Sequence, residues 1–222
     1  MWQVLSKNFS LLDKNIAQKI QQEFFTMLNR TILGQTIEIK WIEDHRYDLK
    51  IDDVLLIAES KTCYYTISGP MRLGAILAGA NQDQLNSIYK FGLALGKSFQ
   101  IIDDLLDLTS DFSGQKSQAG NDIYEGKRTV MLIQLLENID PKNKVKLTKI
   151  LNKSRTEKTA TEVAWVIDQM KACGSLDFAR QLADDYSREA RQIFDNELTF
   201  LSNEPFHSQL SAAINFITTR NH

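Results

Sequence analysis

Apolar residues recur at helical spacing between Gln84 and Asp107, and this segment limits the possible folds more than any other stretch of the chain. The positions that form the apolar stripe are Leu85, Ile88, Tyr89, Leu93, Leu95, Phe99, Ile102 and Leu106. A stripe of this period predicts a long amphipathic helix. The whole sequence contains only 3 prolines and 10 glycines and few alternating β-branched runs, so we expect an all-α fold.

The predicted helix ends in three acids. Asp103 and Asp107 lie one turn apart on one face, and Asp104 lies about 100° round from Asp103. The helix macrodipole disfavours carboxylates at a C-terminus, and like charges one turn apart repel. A hard divalent cation with carboxylate ligands would relieve both effects, so the pattern indicates a Mg²⁺ site. A solvated acidic helix end explains this motif equally well when it is taken alone.

The composition excludes several classes of partner. Of 222 residues, 43% are hydrophobic and 24% are charged, and the formal net charge is −2. We therefore expect no nucleic-acid partner and no electrostatic membrane anchor. No apolar window reaches the roughly 20 residues of a membrane span, and the first residues lack a signal-peptide layout. Cys63 and Cys173 lack metal-ligand neighbours, which indicates reduced thiols in a cytoplasmic protein.

The rest of the periodicity divides the chain into helices without a low-complexity linker, which favours a single domain over residues 1–222. Helices are predicted at about 2–12, 14–41, 51–80, 83–108, 128–139, 142–153, 158–172, 175–198 and 205–219. Gly69-Pro70 lies inside the third helix, where proline removes a backbone hydrogen bond and predicts a kink. We interpret this kink as a bend around the core rather than as a functional hinge.

Two packing surfaces also follow from the pattern. The second helix has a predicted buried stripe of Ile16, Ile20, Phe24, Met27, Ile32 and Ile39. Small residues predict that the third and fourth helices approach each other closely. These residues are Gly74 and Ala78 on the third helix and Gly92 and Gly96 on the fourth.

Polar residues of several predicted helices converge at one end of the bundle. A short turn near Asn81 joins the third and fourth helices, so they should pair antiparallel. Lys61 and Asp103 then lie at about the same height, ~30 Å from that turn. The residues gathered at this end are Gln35, Lys61, Thr62, Gln100, Asp103, Asp104, Asp107 and Lys127. Carboxylates for Mg²⁺ beside lysines for phosphate oxygens indicate a diphosphate site. Taken singly, each lysine is better explained as a counter-charge on a solvated rim, but together they favour the site.

Four segments resemble the trans-isoprenyl diphosphate synthases, or polyprenyl synthetases, which include farnesyl and geranylgeranyl diphosphate synthases. The segments are Leu33-Gly34-Gln35, Lys61-Thr62 followed by residues 74–79, the acidic segment 99–107, and residues 120–129 with Glu125-Gly126-Lys127. They occur in the order and spacing of the family over most of the chain. The resemblance implies the C-terminal two-thirds of an isoprenoid-synthase-type antiparallel helix bundle.

The resemblance also implies a reaction, a cofactor and a role for each residue. The reaction is the condensation of isopentenyl diphosphate with an allylic diphosphate, and the cofactor is Mg²⁺. The implied roles are metal binding for Asp103, Asp104 and Asp107, diphosphate binding for Lys61, Lys127, Gln35 and Lys116, and catalysis for Lys61, Thr62 and Gln100. Oxygen dipoles of the catalytic residues would stabilise the allylic cation, and metal and lysines the leaving diphosphate. Lys116 lies further from the following Gly-x-Asp segment than is usual in the family.

The first aspartate-rich motif of the family is absent from this sequence. Asp52-Asp53 is better explained as a helix start, and Asp184-Asp185 lacks a third acid. We therefore interpret the chain as a domain truncated at its N-terminus, with an apolar face that needs a partner. We expect a homo-oligomer, or a hetero-oligomer with a chain that supplies the missing motif.

Three other interpretations remain at this point. The first is a non-catalytic subunit that binds a diphosphate or stabilises a synthase. The second is a gene remnant of such a synthase, and the third is an unrelated metal-dependent terpene-type enzyme. The Lys61-Thr62 and Glu125-Gly126-Lys127 segments argue against the last of these, and the retained acids and lysines argue against a scaffold. Product length and primer preference do not follow from the sequence.

Overall fold

The computed structural model describes residues 2–109 and 119–219, and this part of the chain is helical and contains no strand. The helices are α1 (Trp2–Leu11), α2 (Lys14–Glu43), α3 (Ile51–Ala58), α4 (Gly69–Leu77), α5 (Gln82–Thr109), α6 (Asn121–Glu125), α7 (Val130–Asn138), α8 (Pro141–Leu151), α9 (Ala160–Ala172), α10 (Ser175–Glu197) and α11 (Phe206–Thr219). The all-α class is confirmed. Within the described ranges, no helix has both the length and the apolar character that a membrane crossing requires.

Local capping chemistry explains where several helices begin. The Asp13 side chain accepts hydrogen bonds from the backbone amides of Asn15 and Ile16, which start α2. Asp140 caps α8 in the same way, with Pro141 in the first turn. Asp53 accepts a hydrogen bond from the Lys50 amide, so the Asp52-Asp53 pair does mark a helix start. Satisfying the free amides of a first turn stabilises a helix by about 1 kcal/mol.

The third predicted helix is continuous from α3 to α4 but is not α-helical throughout. Residues Glu59–Ser68 form a π-helix, which we call the π segment. It ends where the Gly69 amide donates to the Tyr64 carbonyl, five residues back. The ring of Pro70 would clash with the Thr66 carbonyl in a regular α-helix, and wider turns avoid that clash. The prediction of one kinked α-helix is corrected to this α–π–α arrangement.

Helix α5 lies very close to the π segment. A Cβ atom added to Gly92 would lie 2.6 Å from the Cα of Ser68, and one added to Gly96 would lie 2.5 Å from the Cβ of Cys63. The predicted close approach is therefore confirmed for both glycines of α5. It is wrong for Gly74, since a Cβ there would meet nothing within 4 Å. Because the backbones of α5 and the π segment approach so closely, the residues beside Cys63 lie next to the acidic end of α5.

The main hydrophobic core forms between α3, α5, α7, α8, α9 and α10, around Met131, Leu135 and Leu147, which are fully buried. The predicted stripe of α2 is only partly correct. Ile20 is buried, but Ile32 is 59% and Ile39 is 46% exposed. Gly34 lies on the side of α2 that packs against the π segment. Ile32 and Ile39 therefore lie on the outward side of the helix.

Candidate functional site

A chain of hydrogen bonds connects the π segment, α5 and the loop before α7. The Thr62 hydroxyl donates to Oε1 of Gln100 over 2.6 Å, and Nε2 of Gln100 donates to Oδ1 of Asp104 over 2.8 Å. The Lys127 ammonium donates to the same Asp104 oxygen over 2.6 Å. The structure thus brings together four of the residues that the sequence assigned to one site. Thr62 and Asp104 are buried, and the Lys127 side chain is 18% exposed.

The polar side chains of this region line one narrow cleft. They are Glu38, Lys61, Thr62, Gln100, Asp104, Lys127 and Arg128. The Lys61 ammonium lies 2.5 Å from Oε2 of Glu38, on α2. Sequence reasoning missed Glu38. The sequence feature that could have identified Glu38 is its position one turn after Gly34, the residue at which α2 meets the π segment.

The remaining predicted site residues have different surroundings. Asp103 is exposed, whereas Asp107 is buried and its Oδ2 accepts the Asp122 amide over 3.0 Å. Gln35 is exposed on α2 and does not line the cleft. Lys116 lies outside the described residues.

Negative charge is crowded around Lys127. Its ammonium lies 3.1 Å from Oδ2 of Asp122 as well as beside Asp104. Burial and the charges of Asp104 and Asp107 raise the pKa of Asp122 to about 7, although Lys127 opposes this. Burial also raises the pKa of Asp104. Against the effect of burial, the two carboxylates raise the pKa of Lys127. The single ammonium of Lys127 therefore does not fully stabilise the ionised forms of Asp104 and Asp122.

This donor chemistry fits a hard cation, but the acids do not form a metal cluster here. Among the described residues, no group of three or more His, Cys, Asp or Glu side chains is arranged to hold a metal ion. Asp104 is bound by Lys127 and Gln100, and Asp107 by the Asp122 amide. Mg²⁺ nevertheless prefers carboxylate oxygen ligands, and the negative charge of these acids exceeds the local positive charge.

Comparisons with known proteins identify the family to which the chain belongs. Residues 3–170 match the family model described as polyprenyl synthetase. The chain belongs to the polyprenyl synthetase family. The chain is 32% identical over 171 residues to the geranylgeranyl diphosphate synthase of Sulfolobus acidocaldarius, an alignment that covers 75% of this chain and 50% of the relative. It is 29% identical over 209 residues to heptaprenyl diphosphate synthase component 2 of Bacillus subtilis, with 89% of this chain and 57% of the relative covered.

The fold of this chain also matches solved structures. The geranylgeranyl pyrophosphate synthase of Corynebacterium glutamicum, complexed with isoprenyl diphosphate and magnesium, superposes with a TM-score of 0.83 at 23% identity. The match covers 95% of this chain and 57% of that structure. It confirms the isoprenoid-synthase-type helix bundle. The chain spans about half the length of the curated relatives it matches.

Proposed function

We propose that this chain carries the allylic-diphosphate side of a trans-prenyltransferase site, at which an allylic diphosphate ionises and is condensed with isopentenyl diphosphate. The observation that carries the proposal is the cleft in which Lys61 and Lys127 lie with Asp104 beside the Thr62–Gln100 pair. Family membership supports it, because the relatives named above are prenyl diphosphate synthases.

The two lysines would bind the diphosphate. Each ammonium is held near the cleft by a carboxylate, Lys61 by Glu38 and Lys127 by Asp104. An ammonium has three donors, so each lysine keeps at least one donor for diphosphate oxygens after these contacts, although Lys127 also donates to Asp122. Charge-assisted hydrogen bonds of this kind stabilise the developing charge of the leaving diphosphate.

The acids at the end of α5 would hold Mg²⁺, with Asp103, Asp104 and Asp107 as ligands. The ion would supply charge stabilisation to the leaving diphosphate when bound. Asp104 is shared between this role and Lys127, and Gln100 donates to the same Asp104 oxygen. Lys127 and Gln100 would therefore orient the Asp104 carboxylate.

Thr62 and Gln100 would stabilise the allylic cation. The Thr62 hydroxyl proton is used in the bond to Gln100, so the lone pairs of its oxygen remain available to face positive charge. Gln100 is fixed at both ends of its amide, by Thr62 and by Asp104. Preorganised dipoles of this kind need no rearrangement as the cation forms.

A second chain would complete the site. The chain aligns with about half of each relative, and one relative is named as a component of a heptaprenyl diphosphate synthase. An apolar strip on α2 is exposed and is available for a partner; it consists of Ile32, Leu33, Ile37 and Ile39. We propose that another copy covers this strip, or a chain that carries the first aspartate-rich motif.

One observation favours a second candidate, a diphosphate-binding subunit without catalysis. Asp104 binds Lys127 and Gln100, Asp107 binds the Asp122 amide, and the acids of the described residues do not form a metal cluster. A subunit of this kind would bind a diphosphate through its lysines but would not ionise it.

An assay of the whole chain separates the two candidates. Binding of geranyl diphosphate with Mg²⁺ is measured by calorimetry, and prenyl transfer is measured with radiolabelled isopentenyl diphosphate, with and without a chain carrying the first aspartate-rich motif. We expect Lys127→Met to weaken binding at least tenfold and Asp103→Ala to abolish transfer. Lys97→Met is the control, because Lys97 forms a comparable ion pair with Glu59 outside the cleft.

The outcomes assign the function. Transfer that depends on Asp103 supports the prenyltransferase. Binding without transfer under every condition supports the non-catalytic subunit. A folded chain that does not bind geranyl diphosphate, alone or with a partner, contradicts both.

A further inference from the structure

Two buried cations lie against the loop that carries Lys127, and neither has a carboxylate partner in the described ranges. Lys158, which precedes α9, is 7% exposed, and Arg128 is 3% exposed. No described carboxylate lies within 4.0 Å of either side chain. Burial and the charges of Arg128 and Arg155 lower the pKa of Lys158. Buried charges normally pair with opposite charges, so this arrangement calls for a physical reason.

Both side chains hold main-chain carbonyls instead. The Lys158 ammonium donates to the Tyr124 carbonyl over 2.9 Å. The Arg128 guanidinium donates to the Gly126 carbonyl, and its Nε donates to the Arg46 carbonyl over 2.8 Å. The two cations therefore bind the carbonyls on either side of Glu125, in the turn that ends α6.

This turn fixes the backbone of Lys127. The Lys127 amide donates to the Asp122 carbonyl over 2.9 Å, and the Gly126 amide donates to the Ile123 carbonyl over 3.1 Å. Gly126 has a φ of +74°, a conformation that favours glycine. A Cβ added to it would lie 3.7 Å from Nη1 of Arg128 and 3.8 Å from Nζ of Lys158. The turn is thus packed directly against both cations.

We propose that Lys158 is a positioning residue of the diphosphate site, whose ammonium fixes the turn at Gly126 and thereby the place from which Lys127 reaches the diphosphate. The inference rests on the proposed function, because it takes Lys127 as a diphosphate ligand.

The first test measures binding of inorganic pyrophosphate with Mg²⁺ to the full chain by calorimetry. We expect Lys158→Met to weaken binding about tenfold, since misplacement of a binding group by about 1 Å has effects of this order or larger. Lys153→Met is the matched control and should bind as the wild type does, because Lys153 lies on the same loop but pairs with Glu162. In the background of Lys127→Met, Lys158→Met should change binding by less than about twofold, since its effect passes through Lys127.

A second measurement does not depend on the ligand. Hydrogen exchange of the amides of residues 122–127 should be about tenfold faster in Lys158→Met than in the wild type, without faster exchange in α10. Gly126→Ala disturbs the same turn from its other side and should reproduce both effects if Lys158→Met does not fold. Gly174→Ala is its control, because Gly174 also has a positive φ, of +70°, but nothing lies within 4 Å of an added Cβ.

The results separate the inference from the proposed function. A wild-type chain that does not bind pyrophosphate contradicts the proposed function, while the exchange data still test the positioning of the turn. Wild-type affinity in folded Lys158→Met, unchanged exchange, or full additivity with Lys127→Met would each overturn the positioning role. A purely stabilising lysine would lower the unfolding temperature without the non-additive loss of affinity.

Discussion

The ammonium of Lys61 donates to the carboxylate of Glu38, with 2.5 Å between Nζ and Oε2, and joins the π segment to α2 beside the cleft. The two side chains are 23% and 12% exposed. Gly34 permits this contact, since a Cβ there would lie 3.1 Å from the Lys61 amide nitrogen. A diphosphate that binds Lys61 must therefore share this lysine with a carboxylate of the protein itself.

Replacement of Glu38 by glutamine should strengthen the binding of pyrophosphate. The substitution removes a negative charge from the cleft and releases the Lys61 ammonium for phosphate oxygens. A neighbouring like charge within a few ångströms is worth roughly 1 kcal/mol in a solvated site, so we expect about a fivefold gain in affinity. Calorimetry with pyrophosphate and Mg²⁺ measures it.

The control for this variant is Glu59→Gln. Glu59 forms an ion pair of the same length, 2.5 Å, with Lys97, and these side chains are similarly buried. Neither residue lines the cleft, so binding should stay within about twofold of the wild type. Weaker binding in Glu38→Gln would show instead that Glu38 holds Lys61 in position for the diphosphate.

The sequence predicts much of the fold because helix ends depend on local chemistry. A side-chain cap at Asp13, the fixed φ of Pro141 and the positive φ of Gly174 each mark a helix boundary. All three effects act within a few residues. The π segment and the exposure of Ile32 depend instead on which helices pack together. Periodicity contains no information on that choice, so these features could not be predicted from it.

The candidate site also has features that the sequence predicts and features that depend on packing. Counting the rise of antiparallel helices was enough to bring Lys61, Thr62 and Gln100 near the acidic end of α5. The contacts between side chains were not predictable in this way. Glu38 beside Lys61 and the Asp122 amide on Asp107 both depend on packing distances between segments remote in sequence.

The buried pair of Glu23 and Arg72 should make stability depend on pH at the acidic end. Arg72 binds both Glu23 oxygens over 2.8 Å, and the Tyr64 hydroxyl donates to one of them. Although burial acts to raise the pKa of Glu23, the bonds to Arg72 and Tyr64 lower it overall. A lowered pKa means that this stabilisation is present above the unfolded pKa of 4.5 and is lost as pH falls below it.

Glu23→Gln tests this pair by urea unfolding at several pH values. Near neutral pH we expect a loss of about 3 kcal/mol in the free energy of unfolding, because Arg72 loses its buried partner. The difference from the wild type should shrink as pH falls below 4.5 and should be lost below the lowered native pKa of Glu23, where this residue is neutral in both states. Asp185→Asn is the control: its pair with Arg188 is more than half exposed on both sides, and the change should stay within about 0.5 kcal/mol. A pH-independent difference would contradict the assignment.

The two cysteines should differ strongly in reactivity. Cys63 is fully buried, and burial raises the pKa of its thiol to about 12. Cys173 is half-buried at the end of α9. Because the thiolate is the reactive form, a disulfide reagent at pH 8 should modify Cys173 in the native protein and Cys63 only after unfolding. Reagent titration of the native and urea-unfolded chain counts the thiols, and fast native labelling of Cys63→Ser would confirm that the reactive thiol is Cys173.

Gly96→Ala should destabilise the chain and weaken the site together, because Gly96 sets the distance between α5 and the π segment. The new methyl group would lie 2.5 Å from the Cβ of Cys63, the neighbour of Thr62. Overpacking of this kind costs about 1–3 kcal/mol, and separation of the two elements would lengthen the 2.6 Å bond from Thr62 to Gln100. Gly74→Ala is the matched control on α4, where nothing lies within 4 Å and alanine should stabilise the helix by about 0.5–1 kcal/mol. Urea unfolding and pyrophosphate calorimetry on both variants measure the two effects, and a Gly96→Ala protein as stable as Gly74→Ala would mean that α5 and the π segment do not approach this closely.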